Sequence, residues 1–275
     1  MTHPAWLDVR RGEAPLIVSI PHAGAEIPPH LEGRFISGWL ATRDGDWWVD
    51  RLYAFAEDLD ATVIATRLSR SVIDVNRDPT GVSLYPGMAT TELCPTTTFD
   101  GEPLYRPGHA PDEAEIAIRR RLFFQPYHDT LSAEIARLRE RHGAVVLYDA
   151  HSIRSVVPRL FDGELPQFSI GTNTGSSCDP ALAAPVETVC DASGGSRVTN
   201  GRFKGGYITR GHGDPRAGVH ALQMELACRG YMAEPAGAPT PDNWPAPFDA
   251  NFAAPMAATL RSVLESCLAF AKSRP

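Results

Sequence analysis

Two histidines in this sequence stand where an α/β chain gathers its chemistry. His151 follows the apolar run Ala144-Val145-Val146-Leu147, in Tyr148-Asp149-Ala150-His151-Ser152. His22 follows Leu16-Ile17-Val18-Ser19-Ile20, in Pro21-His22-Ala23-Gly24. Unbroken apolar runs with β-branched residues read as strands buried on both faces, the kind found in α/β sheets. Ligands of such sheets bind outside the carboxyl ends of the strands, which is where both histidines fall. One histidine after a strand is a weak signal; a second copy of the arrangement allows the two rings to converge. Neutral imidazole is a common metal ligand, and a catalytic zinc takes three protein ligands and keeps a fourth position open.

Carboxylates near these histidines admit two readings. Asp46 opens a predicted helix over residues 44–59, with Trp48, Leu52, Phe55 and Leu59 at helical spacing. There it either caps the helix and complements its dipole or aims at the two rings, and residue types leave both open. Glu225 lies in a predicted strand, 219–227, where Leu222, Met224 and Leu226 share one face and Gln223 and Glu225 the other. An acid within a buried strand needs a partner or a chemical role. Arg67, Arg70 and Arg77 cluster in a chain of formal net charge -7, a pattern that suits local binding of a carboxylate. Cys178, beside Ser176 and Ser177, is the candidate nucleophile if the chemistry uses no metal.

The elements that must position these residues alternate between strand and helix. Strands are predicted at 15–21, 61–66, 144–150, 168–171, 196–199 and 219–227, with a short extended piece near Val72–Asn76. A helix is predicted over 112–141, broken near Pro126 and stopped by Gly143, with further helices over 180–190 and 256–273. Residues 31–43 read as loop and a short helix, and 233–255 as a proline-rich loop. The glycine-rich turn at 201–206 leads into a predicted short strand at 207–210 and lacks a phosphate-loop pattern. Residues 79–111 carry repeated glycine and proline; a loop that long within one domain is often an active-site lid.

Composition bounds the function. The 275 residues suffice for one α/β domain, expected to span 1–275. Hydrophobic residues make up 43% and charged residues 21%, which is ordinary for a soluble globular protein, and no basic face calls for nucleic acid. No run reaches membrane-span length, and the N-terminus lacks the regions of a signal peptide. Five scattered cysteines without CxxC spacing fit reduced thiols, so a cytoplasmic location is expected.

Taken together, the motifs resemble the N-formylglutamate amidohydrolase (N-formylglutamate deformylase) family. The resemblance runs from Ile20-Pro21-His22-Ala23-Gly24 through Asp46-Trp47, Val72-Ile73-Asp74-Val75-Asn76-Arg77 and Asp149-Ala150-His151-Ser152-Ile153-Arg154. It continues in Pro158-Arg159-Leu160-Phe161, Asn200-Gly201-Arg202-Phe203-Lys204-Gly205-Gly206 and Gln223-Met224-Glu225-Leu226, nearly the whole chain. It implies a three-layer α/β/α sandwich with a mixed, mainly parallel central sheet, similar to zinc-dependent exopeptidases. It further implies one divalent metal, zinc first, on His22, Asp46 and His151, with Glu26 and Asp50 as rival carboxylates for the third position. Glu225 is implied as the base, and Arg77, Asn76, Arg159 and Arg210 as substrate-binding groups. The implied reaction is hydrolysis of N-formyl-L-glutamate in histidine degradation. Hydrolysis of another N-acyl amino acid, or carboxylate binding without catalysis, are the alternatives. One departure stands out: Thr209-Arg210-Gly211-His212-Gly213 replaces the family's Thr-Arg-His-Tyr-Gly, which places the acyl or amino-acid pocket in question.

Overall fold

Alternation along the two longest strands, β4 (Val145–Ile153) and β7 (Val219–Ala227), sorts the side chains into layers. All nine residues of each strand are buried, so both faces must be covered. Val146, Tyr148, Ala150, Leu222, Met224 and Leu226 pack into one core with Leu260, Val263 and Leu264 of the last helix. Val145, Leu147, Val219 and Ala221 pack into a second core with Tyr127, Leu131 and Leu138. A computed structural model describes residues 3–274 and shows these cores on either side of a seven-stranded sheet.

The sheet runs β1 (Leu7–Arg10), β3 (Thr62–Thr66), β2 (Leu16–Ile20), β4, β7, β5 (Phe168–Gly171), β6 (Arg197–Thr199). The contacts β3–β2, β2–β4, β4–β7 and β5–β6 are parallel; β1–β3 and β7–β5 are antiparallel. The mixed, mainly parallel sandwich is thus as expected. The edge strand β1 has no counterpart among the predicted strands: Leu7-Asp8-Val9-Arg10 is too short and polar to announce itself without its partner β3.

The helices are α1 (Pro29–Glu32), α2 (Gly38–Thr42), α3 (Val49–Leu52), α4 (Glu113–Arg119), α5 (Gln125–Arg139), α6 (Pro180–Ala192), α7 (Tyr207–His212) and α8 (Ala250–Lys272). Asp112, Asp179 and Asp249 cap α4, α6 and α8 by accepting from backbone N–H groups of the first turn. The break expected near Pro126 takes the form of a π-helical turn, Arg120–Phe124, between α4 and α5. Proline lacks the N–H and crowds the carbonyl four residues back, which widening the turn relieves.

Four expectations fail. The helix predicted over 44–59 begins only at Val49, after Trp48 with a left-handed φ of 65°, and is two short pieces, α3 and a 3₁₀ segment Ala54–Leu59. Residues 72–76 are turns rather than strand. Residues 207–210 begin helix α7, not a strand. Helix α8 starts at Ala250, earlier than predicted, because Asp249 caps it ahead of Pro255. The long loop region is present, and between 79 and 111 it forms no helix or named strand.

Candidate functional site

On the α5 side of the sheet, β4 and β7 change character halfway along. Val145 and Leu147 give way to Asp149 and His151; Val219 and Ala221 give way to Gln223 and Glu225. The first pairs seal the core beneath α5; the second pairs line the carboxyl end of the sheet, where the covering loops begin. Parallel register sets His151 opposite Glu225 and Asp149 opposite Gln223. His151 therefore stands within β4 rather than just beyond it.

His22, Asp46 and His151 come together from three segments, with one possible ligand atom from each lying within 4.8 Å of the others. Asp46 is carried by the turn before α3, where its N–H donates to the His22 carbonyl oxygen at 2.9 Å. Its Oδ2 lies 3.0 Å from His151 Nδ1 and 3.6 Å from His22 Nδ1. The sequence left Asp46 between cap and site; it caps no helix, and its carboxylate faces both rings. The rivals are elsewhere: Glu26 is exposed and paired with Arg67, and Asp50 is exposed on α3.

Each ring is held from behind by a buried carboxylate. His22 Nε2 donates to Asp74 Oδ1 at 2.7 Å, and His151 Nε2 donates to Asp149 Oδ2 at 2.9 Å. These bonds turn both Nδ1 atoms toward Asp46, where His151 Nδ1 meets Oδ2 at 3.0 Å. His22 Nδ1 is buried and has no hydrogen-bond partner. An orphaned imidazole nitrogen beside a carboxylate is what a metal-ligating histidine looks like when backed by a carboxylate. Donor set and geometry thus fit a divalent cation.

The electrostatics agree. Burial alone would raise the Asp46 carboxyl, but the His22 and His151 rings outweigh it and hold it below the usual range. Burial works against a charged His151, yet Asp149 and then Asp46 hold its pKa well above the ordinary value. A pocket that draws protons onto imidazole has an excess of negative charge that a cation satisfies.

The supporting groups are themselves saturated. Asp74 accepts from Arg70 Nη2 (2.6 Å) and the Asn76 N–H (2.9 Å) as well as from His22. Asp149 Oδ1 accepts from Ser19 Oγ at 3.0 Å, and Ser19 meets the hydroxyl of Tyr127 on α5 at 2.9 Å. Ser152 N donates to Asp46 Oδ2 at 3.2 Å, and its hydroxyl meets Tyr231. Asn76 Nδ2 donates to Asp149 Oδ2 at 3.2 Å, while its Oδ1 accepts the Ile208 N–H at 2.8 Å. A Cβ on Gly206 would overlap the Asn76 amide, so glycine is required at that approach.

Glu225 lies beside the cluster, 7% exposed. Burial pushes its carboxyl up to about 7; His151 pulls it down and Asp46 adds to the rise. Gln223 is oriented by donating to Glu225 Oε2 (3.2 Å) and accepting the Gly206 N–H (2.8 Å). A carboxyl near neutrality next to a metal-type centre is equipped to take up and release a proton.

These groups surround a cavity of about 50 Å³, into which Arg70, Arg77 and Arg202 also face. Arg77 donates to Thr91 (3.1 and 3.0 Å) and lies 3.7 Å from Asp74. Segment 79–94 forms one wall, tied down where Tyr85 OH donates to the Gly205 carbonyl at 3.0 Å. Beyond it a larger cavity of about 590 Å³ shares Arg77, Tyr85, Thr90 and Thr91.

Two arginines expected at the substrate do not line this cavity. Arg159 is exposed and lies against Gly101. Arg210 is turned back by α7 to the Gly205 carbonyl (2.8 Å) and lies over Tyr85. Asn76 lines the cavity, but its amide is spent on Asp149 and the backbone of α7. The unusual His212 stacks on His128 in the layer beneath α7, its Nε2 2.9 Å from His128 Nδ1, and takes no part in the cavity wall. Cys178 is buried in the core on the opposite face, its thiol pushed by burial up to about 12, which removes it as a nucleophile for this site.

Sequence reasoning assigned no role to Asp74, Asp149 or Arg202, and gave Arg70 only a share in an arginine cluster suited to a carboxylate. The signal for the two acids was present: Asp149 shares a strand face with His151, and Asp74 shares a turn with Asn76. For the choice among the arginines no sequence signal exists, since partner geometry alone separates Arg202 from Arg210.

Comparison with known proteins agrees with this architecture. The chain is 47% identical over 269 residues to the N-formylglutamate deformylase of Pseudomonas aeruginosa, covering 98% of both. It is 44% identical over 269 residues to the N-formylglutamate deformylase of Pseudomonas putida, covering 98% of this chain and 97% of the other. The crystal structure of N-formylglutamate amidohydrolase from Ralstonia eutropha JMP134 has the same fold, with a TM-score of 0.74 at 23% identity and 98% of each chain covered. A model of the N-formylglutamate amidohydrolase family matches residues 14–232, and the chain belongs to that family.

Proposed function

We propose that the chain, acting as one domain, hydrolyses N-formyl-L-glutamate to formate and L-glutamate, with zinc held by His22, Asp46 and His151. The observation that carries this reading is the pair of carboxylate-backed imidazoles whose Nδ1 atoms face Asp46, that of His22 without a partner, with Glu225 alongside. A divalent metal bound there would lower the pKa of water and polarise the amide carbonyl. Glu225, poised near neutrality, takes a proton from the attacking water, which adds to the formyl carbon. Gln223 holds Oε2, so Oε1 is the oxygen free for this exchange. As the C–N bond breaks, Glu225 returns the proton to the leaving nitrogen, giving the neutral amine and formic acid, which ionises to formate as the amine takes up a proton. Arg77 binds the substrate carboxylate nearest the reacting bond, its guanidinium already aligned by Thr91.

The setting of the reaction is histidine degradation in the cytoplasm, a placement supported by five buried, unpaired cysteines. Among the described residues no helix is long and apolar enough to cross a membrane. The test is formate release from N-formyl-L-glutamate by protein whose metal content is measured on the same sample. Activity should disappear on chelation and return with zinc in proportion to metal bound. Full activity in metal-free protein would refute the reading.

A further inference from the structure

Three guanidinium groups face the cavity, and they differ in how far their charge is already satisfied. Arg70 is committed: Nη2 donates to Asp74 at 2.6 Å and Nη1 lies 3.5 Å from Asp46. Arg77 is half committed, 3.7 Å from Asp74 and otherwise bonded to Thr91. Arg202 has only neutral partners among the described residues. Its Nε donates to the Leu160 carbonyl (2.8 Å), its Nη2 to the Ala89 carbonyl (2.7 Å), and its plane lies over Tyr85 and Phe203. Burial, and then the neighbouring Arg77 charge, disfavour its ionised form. Two like charges that share a small cavity without a full counter-ion are complementary to an anion with two negative ends.

Their supports set the order in which they meet a ligand. Arg77 is tied through Asp74 to His22 and so belongs to the metal side. Arg202 is held by Ala89 of the 79–94 segment and by the Leu160 loop, and neither bond ties it to the histidine cluster. In an N-formyl amino acid the α-carboxylate is the nearer group to the scissile amide and the side-chain carboxylate the more distant one. We propose that Arg202 is the specificity-determining residue that binds the side-chain carboxylate, with Arg77 on the α-carboxylate, an inference that rests on the N-formylglutamate reading above. The cavity of about 50 Å³ has room for only a few water molecules, so Arg202 exchanges its bond to Ala89 for one to the ligand as the segment yields. Acidic substrates are thereby favoured through the exchange itself, because a neutral side chain offers Arg202 at most another amide carbonyl, whereas a carboxylate offers a charge-assisted bond.

The test compares kcat/KM for N-formyl-L-glutamate, N-formyl-L-glutamine and N-formyl-L-isoglutamine, whose amide replaces the α-carboxylate. Arg202→Met should lower kcat/KM for N-formylglutamate by about 10- to 100-fold, mainly through KM, and lose far less on N-formylglutamine. Arg77→Met should show the same selective loss with isoglutamine as the indifferent substrate. Arg202→Lys, which keeps charge without the planar fork, should restore part of the preference and serves if the Met variant does not fold. Equal losses on glutamate and glutamine substrates would reduce Arg202 to a structural prop and overturn the inference. Selective indifference to isoglutamine in the Arg202 variant would also overturn it, by reversing the assignment. Wild-type protein that fails to cleave N-formylglutamate would overturn the underlying reading; normal cleavage with an unchanged glutamate-to-glutamine ratio in Arg202→Met would overturn this inference alone.

Discussion

Replacing Asp149 by Asn tests the proposed zinc centre without touching a proposed ligand. Asp149 is wholly buried and accepts from His151 Nε2 (2.9 Å), Asn76 Nδ2 (3.2 Å) and Ser19 Oγ (3.0 Å). No arginine leans on it in those bonds, so the isosteric amide removes a charge while preserving shape. In Asp149→Asn the amide oxygen can still accept from His151, and the amide NH₂ can donate to Ser19 Oγ, whose own proton turns to Tyr127. What is lost is the anion behind the imidazole, and carboxylates in that position are worth about 10- to 100-fold in metal affinity. That corresponds to about 1.4–2.7 kcal/mol, within the range for a charge-assisted hydrogen bond.

The same charge sets the competition with protons. In metal-free protein Asp149 holds the His151 pKa well above its ordinary value, so zinc must displace a proton at neutral pH. Asp149→Asn lowers that pKa and weakens the competing proton. The affinity loss should therefore be larger at about pH 9, where protons compete less, and smaller at about pH 6.5, where the wild-type ring resists deprotonation more strongly than the variant. Zinc dissociation constants from competition with a chromophoric chelator at both pH values measure it. No loss of affinity at either pH, or a loss that grows as pH falls, would refute the argument that Asp149 acts by backing a metal-ligating His151.

Glu225→Gln should retain zinc and leave KM within a few-fold while kcat falls by about 10²-fold or more, read by steady-state formate release; an unchanged kcat removes Glu225 from proton transfer. Acid sensitivity should arise from the stacked pair beneath α7: burial, and then the His212 ring, push His128 down to about 3, and burial pushes His212 down to about 4. Both depressed groups stabilise the fold above their unfolded pKa of about 6.5 and lose that contribution as pH falls through the folded values, by up to about 1.4 kcal/mol per pH unit each. Urea unfolding of His212→Asn should therefore show a flatter decline from about pH 6.5 to about pH 4 than wild type, and parallel slopes would count against it. Cys178→Ala should keep kcat unchanged and cost about 1 kcal/mol of stability from lost packing; a collapse in kcat would revive thiol chemistry.

Local signals carried much of this protein. The apolar runs that became β2, β4 and β7 announced a buried sheet, and the polar side chains at their carboxyl ends announced chemistry there. His22 and His151 could be named because each follows an apolar run at a strand end, where ligands of α/β sheets bind, and Glu225 because an acid on a buried strand face is costly unless it has a use. Long contiguous motifs further identified the family. What the sequence could not supply was any choice that depends on which distant segments meet. Asp46 read equally as a helix cap or a site carboxylate, and only the fold, with the helix beginning after left-handed Trp48, sets that carboxylate against the rings. Arg159, Arg210, Arg77 and Arg202 are chemically identical in the sequence, and only loop packing sends two of them to the cavity and two away from it. Strand periodicity is a property of neighbours along the chain, so it is legible there. Which guanidinium lacks a carboxylate partner, and which imidazole nitrogen is left bare, are properties of neighbours in space, which only the assembled tertiary structure decides.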